Sequence, residues 1–327
     1  VPEAFGLIAI VSVLISGFTL FTDFGIARSI MREPDGDTDR FLRAAWLVKI
    51  SRGAMIASGV LVSALLLWIF GPAYAPPGTV YADPVLPGLI AVSALMPLIL
   101  GFESTARELT ARRMLIQYTA ALEIVSRACA ILAMICFAWI NPTVWALLAG
   151  MLTGPLVKTI GTHVFLPGPR MAFVWDKDIA DRLWQYGKWL MGSSIFVFFA
   201  NSADKFILGS FLDAAALGLF VIASIWIEAG AMVIARLSDQ VGFPAISEVL
   251  RNRPKDAPRL YRKFQSVIDA ICISGFLVMH FGGQTFINLL YTPTYQEAGS
   301  YLAILSVRFL ALRYNGLNGL LMNLGNS

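Results

Sequence analysis

Thiol, imidazole and charge are all scarce in this chain. Its three cysteines, Cys129, Cys136 and Cys272, form no CxxC pair and no Cys/His cluster, which excludes a disulfide framework and a metal-ligating motif. They read as buried thiols packing as small apolar side chains. The two histidines, His163 and His280, have no serine or aspartate near them in triad-like order. P-loop, GxGxxG and HExxH signatures are missing too, so no catalytic residue, cofactor or metal is expected. Asp35-Gly36-Asp37 has the look of a metal-holding acidic pair, but beside Pro34, Asp39 and Arg40 it reads as a solvated turn. Charged residues make up 14% and apolar ones 57% of the chain, against about 25% and 45–50% in soluble domains. A soluble domain with a single anchor is excluded as well, because the apolar excess runs end to end.

Lysine and arginine are missing altogether from Gly71–Pro87, Asn141–Trp145, Asp213–Ala216 and Tyr291–Gly299. These segments alternate with Arg28–Arg43, Ser104–Gln117, Pro167–Lys188 and Gln240–Gln265, which together hold 17 of the 25 basic residues. Such sorting is the mark of a polytopic membrane protein whose basic loops stay in the cytoplasm. The net charge of +4 therefore points to lipid headgroups and not to nucleic acid. Apolar runs of about 20 residues predict nine spans: Phe5–Ala27, Ala44–Phe70, Val85–Glu103, Tyr118–Ile140, Ala146–Leu166, Trp189–Leu212, Leu217–Asp239, Ser266–Leu290 and Ser300–Leu320. Pro97 and Pro155 predict kinks within two of them. Asp178–Lys188 reads as an interfacial helix, and Arg251–Lys263 as headgroup contact.

With basic loops inside, the first span runs inward from an exported Val1, and an earlier span is expected to be missing. Ala4–Ser12 aligns with Ala216–Ser224 at five of nine positions, each segment opening a span at its outer end. Spans one and seven share an orientation, which predicts parallel repeats. The expected architecture is an all-α transmembrane bundle of two six-helix lobes around a central cavity. Nine of at least twelve spans would be present, with the chain truncated at both ends. Its parts would be an N-terminal lobe over 1–170, a cytoplasmic interfacial linker over 171–188 and a C-terminal lobe over 189–327.

An ionisable group in the hydrocarbon costs about 2.5–3.5 kcal/mol on insertion scales, so each one needs a reason to be there. The basic residues inside predicted spans are Arg127, Lys158, Lys205, Arg236, Arg308 and Arg313; the acidic ones are Asp23, Glu103, Glu123, Asp204, Glu228 and Asp269. Asp23, Glu103, Arg236 and Asp269 lie near cytoplasmic ends and can snorkel. Lys49 and Arg52 open a span. Glu123 and Arg127 have the spacing of an intrahelical ion pair. Asp204 and Lys205 point to different faces, and Glu228 is close to mid-span.

Glu3-Ala4-Phe5-Gly6-Leu7 and Asp23-Phe24-Gly25-Ile26-Ala27-Arg28-Ser29-Ile30 resemble the second transmembrane segment of the polysaccharide transporters. These are the Wzx-type lipid-linked oligosaccharide flippases of the multidrug/oligosaccharidyl-lipid/polysaccharide exporter superfamily. Ala203-Asp204-Lys205, Leu208-Gly209 and Leu217-Gly218-Leu219-Phe220 resemble that family's seventh and eighth segments. Phe243–Ser247 with Tyr261-Arg262-Lys263 resembles the loop that follows.

The resemblance implies transport of undecaprenyl-diphosphate-linked oligosaccharide from the cytoplasmic to the periplasmic leaflet of the bacterial inner membrane, for exopolysaccharide, capsule or O-antigen. Membrane lipids, a polysaccharide polymerase and export machinery are the implied partners. A diphosphate cargo would account for the surplus cations, with Arg28, Lys158, Arg236 and Arg308 as substrate contacts. Asp204, Lys205 and Glu228 would be coupling-ion or cavity-polar groups. Within the same superfamily a cation-coupled drug exporter and a peptidoglycan-precursor flippase are the nearest alternatives; a polytopic glycan-modifying enzyme is a third.

Overall fold

The computed structural model describes residues 2–253 and 256–315. Among them every regular element is a helix. These are α1 (Pro2–Phe21), α2 (Ile26–Arg32), α3 (Asp39–Tyr74), α4 (Leu86–Ser93), α5 (Leu95–Gly101), α6 (Ala106–Arg112), α7 (Ile116–Ile140), α8 (Val144–Val164), α9 (Lys177–Leu208), α10 (Ala214–Leu237), α11 (Phe243–Asn252), α12 (Ala257–Leu290), α13 (Ala298–Leu305) and α14 (Arg308–Asn315). Among the described residues six helices are long and apolar enough to cross a membrane: α1, α3, α7, α8, α10 with its π-turn, and α12. Helices α4–α5 with α6, bent by 54°, make a seventh if they count as one broken span. The chain is a multi-pass membrane protein.

This overturns the plan of nine present spans and two six-helix lobes. Val85–Glu103 is not one rod. Pro97 has no N–H, and its ring crowds the carbonyl one turn earlier, so the helix breaks at Ala94 and restarts as α5. Trp189–Leu212 lies as far as Leu208 in α9, which begins with the charged turn Lys177–Arg182 and carries Asn201, Asp204 and Lys205 in its last turns. That mixture leaves it short of the apolarity of a span. Ser300–Leu320 is interrupted at Ser306 and Val307 between two eight-residue helices, and its end from residue 316 lies outside the described residues. So do Pro254 and Lys255 of the basic stretch Arg251–Lys263.

Two compact units divide the chain: Gly6–Ala214, and Val1–Phe5 with Ala215–Ser327. In the second, buried Ile222, Ala223, Ile227 and Ile234 of α10 pack with Ile268, Cys272 and Ile287 of α12 and with Leu302 and Phe309. Trp226 meets Phe286 edge to face at 4.7 Å and donates its Nε1–H to the Tyr291 hydroxyl at 3.2 Å. Asp269 accepts from Arg313 at 3.0 and 3.2 Å and from Gln265 at 2.9 Å, which ties α14 to α12.

In the first unit α7 and α8 form a close hairpin. Gly150 and Gly154 of α8 face Ala130 of α7, small residues that let two backbones approach. A second core joins Ile30, Phe41, Leu42, Leu109 and Leu183. Above it three of the four basic segments meet. Arg182 donates to Asp35 at 2.8 and 3.2 Å, and Arg40 pairs with Asp176, the N-cap of α9. Arg112 donates to the carbonyls of Ile30 and Glu33. The Arg182 guanidinium holds the Asp35 carboxyl below the usual carboxylate range. Asp35-Gly36-Asp37 is thus a turn tied down by arginines. Gly36 has no room for a side chain, because a Cβ there would clash with the backbone carbonyl oxygen of Ile30.

Candidate functional site

Helix α3 starts at Asp39, capped by Thr38 Oγ1, which accepts from Phe41 N–H at 3.3 Å. Lys49 and Arg52 therefore lie about three turns inside a helix and do not open one. With Gly53 and Ile56 they share one face at the i, i+3, i+4, i+7 spacing. That face and the Ile15–Leu20 face of α1 wall a cavity of about 660 Å3. The bent α5–α6 pair brings Glu103, Arg107 and Glu108 to it, and α8 contributes Lys158.

The charges in it are closely interleaved. Lys49 Nζ bridges Glu103 Oε2 at 2.9 Å and Glu108 Oε1 at 3.2 Å. Arg107 lies 3.7 Å from Glu103, and Lys158 lies 3.9 Å from Glu103 and 3.2 Å from Glu123. Arg52 donates to the Thr19 carbonyl at 2.7 Å, which keeps its guanidinium at the α1 wall. Glu103 and Glu108 are almost wholly buried, their side chains 4% and 9% exposed. Even so, among the described residues Glu103 Oε1 and Glu108 Oε2 each have no hydrogen-bond partner. The cavity is lined by Lys49, Arg52, Arg107 and Lys158 and by Asp23, Glu103 and Glu108, and Glu123 beside Lys158 brings the opposed charges level at four each. Arginine at such a site can take a phosphate bidentately, and lysine adds a point charge.

Of the residues singled out from sequence, Lys158 lines this cavity, and Glu123 pairs with it more closely than with Arg127, which lies 3.7 Å away. Arg28 is exposed on α2, next to cavity-lining Ala27. Arg236 on α10, Arg308 at the start of α14 and Glu228 on α10 are exposed. Asp204 is exposed and accepts from the Lys205 backbone N–H at 2.8 Å; Lys205 itself is half-buried. Arg28, Asp204 and Lys205, which belong to the same unit as the cavity, are not among the residues that line it. From sequence, Lys49 and Arg52 read only as opening a span and Glu103 only as snorkelling, while Arg107 and Glu108 carried no reading of their own. The face shared by Lys49, Arg52, Gly53 and Ile56 was the one local sign. Among the described residues no group of three His, Cys, Asp or Glu is placed to hold a metal ion.

A family model described as polysaccharide biosynthesis protein matches residues 1–300. No curated protein and no solved structure matches the chain.

Proposed function

From its membership of the polysaccharide biosynthesis protein family, to which the chain belongs over residues 1–300, we propose that this protein is a flippase for a lipid-linked oligosaccharide. The cargo is an undecaprenyl-diphosphate-linked glycan, moved from the cytoplasmic to the periplasmic leaflet of the bacterial inner membrane. It passes onward to a polymerase and export machinery. The observation that carries this reading is the charged cavity of about 660 Å3 between helices long and apolar enough to span a membrane. Four cations at membrane depth are expensive to insert, and a diphosphate cargo repays their retention. Arg52 and Arg107 supply forked donors, and Lys158 and Lys49 give further charge. The carboxylates hold these cations in place when the cavity is empty of anion. The meeting of three basic segments at one end supports placing that end in the cytoplasm.

Export in a cell lacking its own flippase tests this reading. Arg52→Ala or Arg107→Ala removes charge-assisted hydrogen bonds to phosphate and is expected to cut glycan export by about tenfold or more at equal membrane abundance. Full export by both variants would refute the phosphate role. Arg28, Arg236 and Arg308 remain proposed contacts further along the path, and Asp204, Lys205 and Glu228 proposed polar or coupling groups. Each stands or falls in the same assay.

A further inference from the structure

Cations alone would make a site for any phosphate, but this cavity is also lined by acids whose acceptors are unused. Glu103 Oε1 and Glu108 Oε2 are buried without a donor among the described residues. A buried acceptor left unpaired is unfavourable and uncommon in native structures. Arg107 and Lys158 are near Glu103 Oε1 at 3.7 and 3.9 Å, within Coulombic reach but too far to donate a hydrogen bond. The two carboxylates cannot swing away, because Lys49 holds their other oxygens at 2.9 and 3.2 Å. Two idle acceptors on one lysine bridge therefore sit among the cations that would meet a phosphate.

A bare phosphate entering this mixture brings its oxygens against two carboxylates, a repulsion that works against it. A phosphate ester with donors beside the phosphorus meets both requirements at once. We infer that the cavity is a sugar-phosphate site, in which Arg52, Arg107 and Lys158 hold phosphate while Glu103 Oε1 and Glu108 Oε2 accept hydrogen bonds from hydroxyls of the adjoining sugar. This rests on the flippase reading and deepens it, since the sugar next to the phosphate becomes a recognised part of the cargo. Hydroxyl-to-carboxylate hydrogen bonds are charge-assisted and short, which makes them effective discriminators. A site that depends on a ligand's hydroxyls rejects analogues lacking them.

Methyl phosphate and glucose 1-phosphate are both phosphate monoesters, but only the second carries hydroxyl donors. Equilibrium binding of each to the purified protein in nanodiscs separates the two halves of the site. Glucose 1-phosphate is expected to bind about tenfold or more tightly than methyl phosphate. In Glu103→Gln and Glu108→Gln that preference shrinks to about twofold. Equal binding of the two esters to the unaltered protein overturns the sugar contact and leaves the phosphate site standing. That comparison needs no variant to fold. Retention of the full preference in both Gln variants overturns it too. If neither ester binds, the phosphate site itself fails, and the sugar contact fails with it.

Discussion

Replacing Lys49 with Met is expected to destabilise the protein by about 3–5 kcal/mol, the largest effect of any single change in the charged cavity. Lys49 hydrogen-bonds both Glu103 and Glu108, at 2.9 and 3.2 Å, and all three are largely buried. Methionine fills similar space and keeps the apolar stem packed, so the loss isolates the ammonium. What remains are two buried carboxylates with only Arg107 and Lys158 nearby, and neither lies within hydrogen-bond distance of Glu103. Removing one partner of a buried pair leaves an uncompensated charge, which is costlier than never having had the pair. For that reason Lys49→Met combined with Glu103→Gln and Glu108→Gln is expected to recover most of the loss. Denaturant unfolding in detergent, followed by near-ultraviolet circular dichroism, measures both. A Lys49→Met variant within about 0.5 kcal/mol of the parent would mean that water already solvates this cluster.

Gly53→Ala is expected to cost about 1–3 kcal/mol, although alanine is the better helix former. A Cβ at Gly53 would lie 2.6 Å from the Pro97 carbonyl oxygen and 2.8 Å from Gly101 Cα. Both neighbours are backbone, so no side chain can turn aside and α3 must move off α5. The same movement would open the wall of the cavity, since Gly53, Pro97 and Gly101 all line it. Gly101→Ala should be milder, because a Cβ there meets Gly53 Cα at 3.2 Å. Gly192, in the middle of α9, has nothing within 4 Å of an added Cβ. Gly192→Ala is therefore the control, expected to stabilise by about 0.5–1 kcal/mol through helix propensity alone. Urea unfolding of the three variants gives the order; a Gly53→Ala protein as stable as Gly192→Ala would contradict the close approach of α3 and α5.

Composition and the sorting of basic residues were enough to read a helical, multi-pass membrane protein, because both are properties of segments. What a segment average cannot see is where a helix stops. Val85–Glu103 reads as one apolar run, yet Pro97 divides it and the 54° bend carries Glu103 and Glu108 inward. Trp189–Leu212 reads as a span only if the charged turns before and within it are left out. With the first of these a broken span at most, the second short of a span and the last run split at Ser306, the twelve-span, two-lobe plan has no support.

The site was less legible than the fold, for a different reason. Lys49 meets Glu103 and Glu108 across 54 and 59 positions of sequence, and no local spacing encodes such a pairing. Glu123 and Arg127 illustrate the limit from the other side. Their i, i+4 spacing is visible and they do lie 3.7 Å apart, but the closer partner of Glu123 is Lys158 on the neighbouring helix. Near a helix end, snorkelling is the default for a charge such as Glu103; only the packed neighbours reveal that it faces inward.

In the proposed function the cations of this cavity carry a lipid-linked diphosphate through the membrane. The most direct test of that role is translocation of a fluorescent polyprenyl-diphosphate oligosaccharide in proteoliposomes containing the unaltered protein or Arg52→Ala. Protected fluorophore should appear in the opposite leaflet with the unaltered protein and fall to about one tenth of that rate or less with Arg52→Ala. Equal translocation by the two proteins, or none above protein-free liposomes, would contradict it.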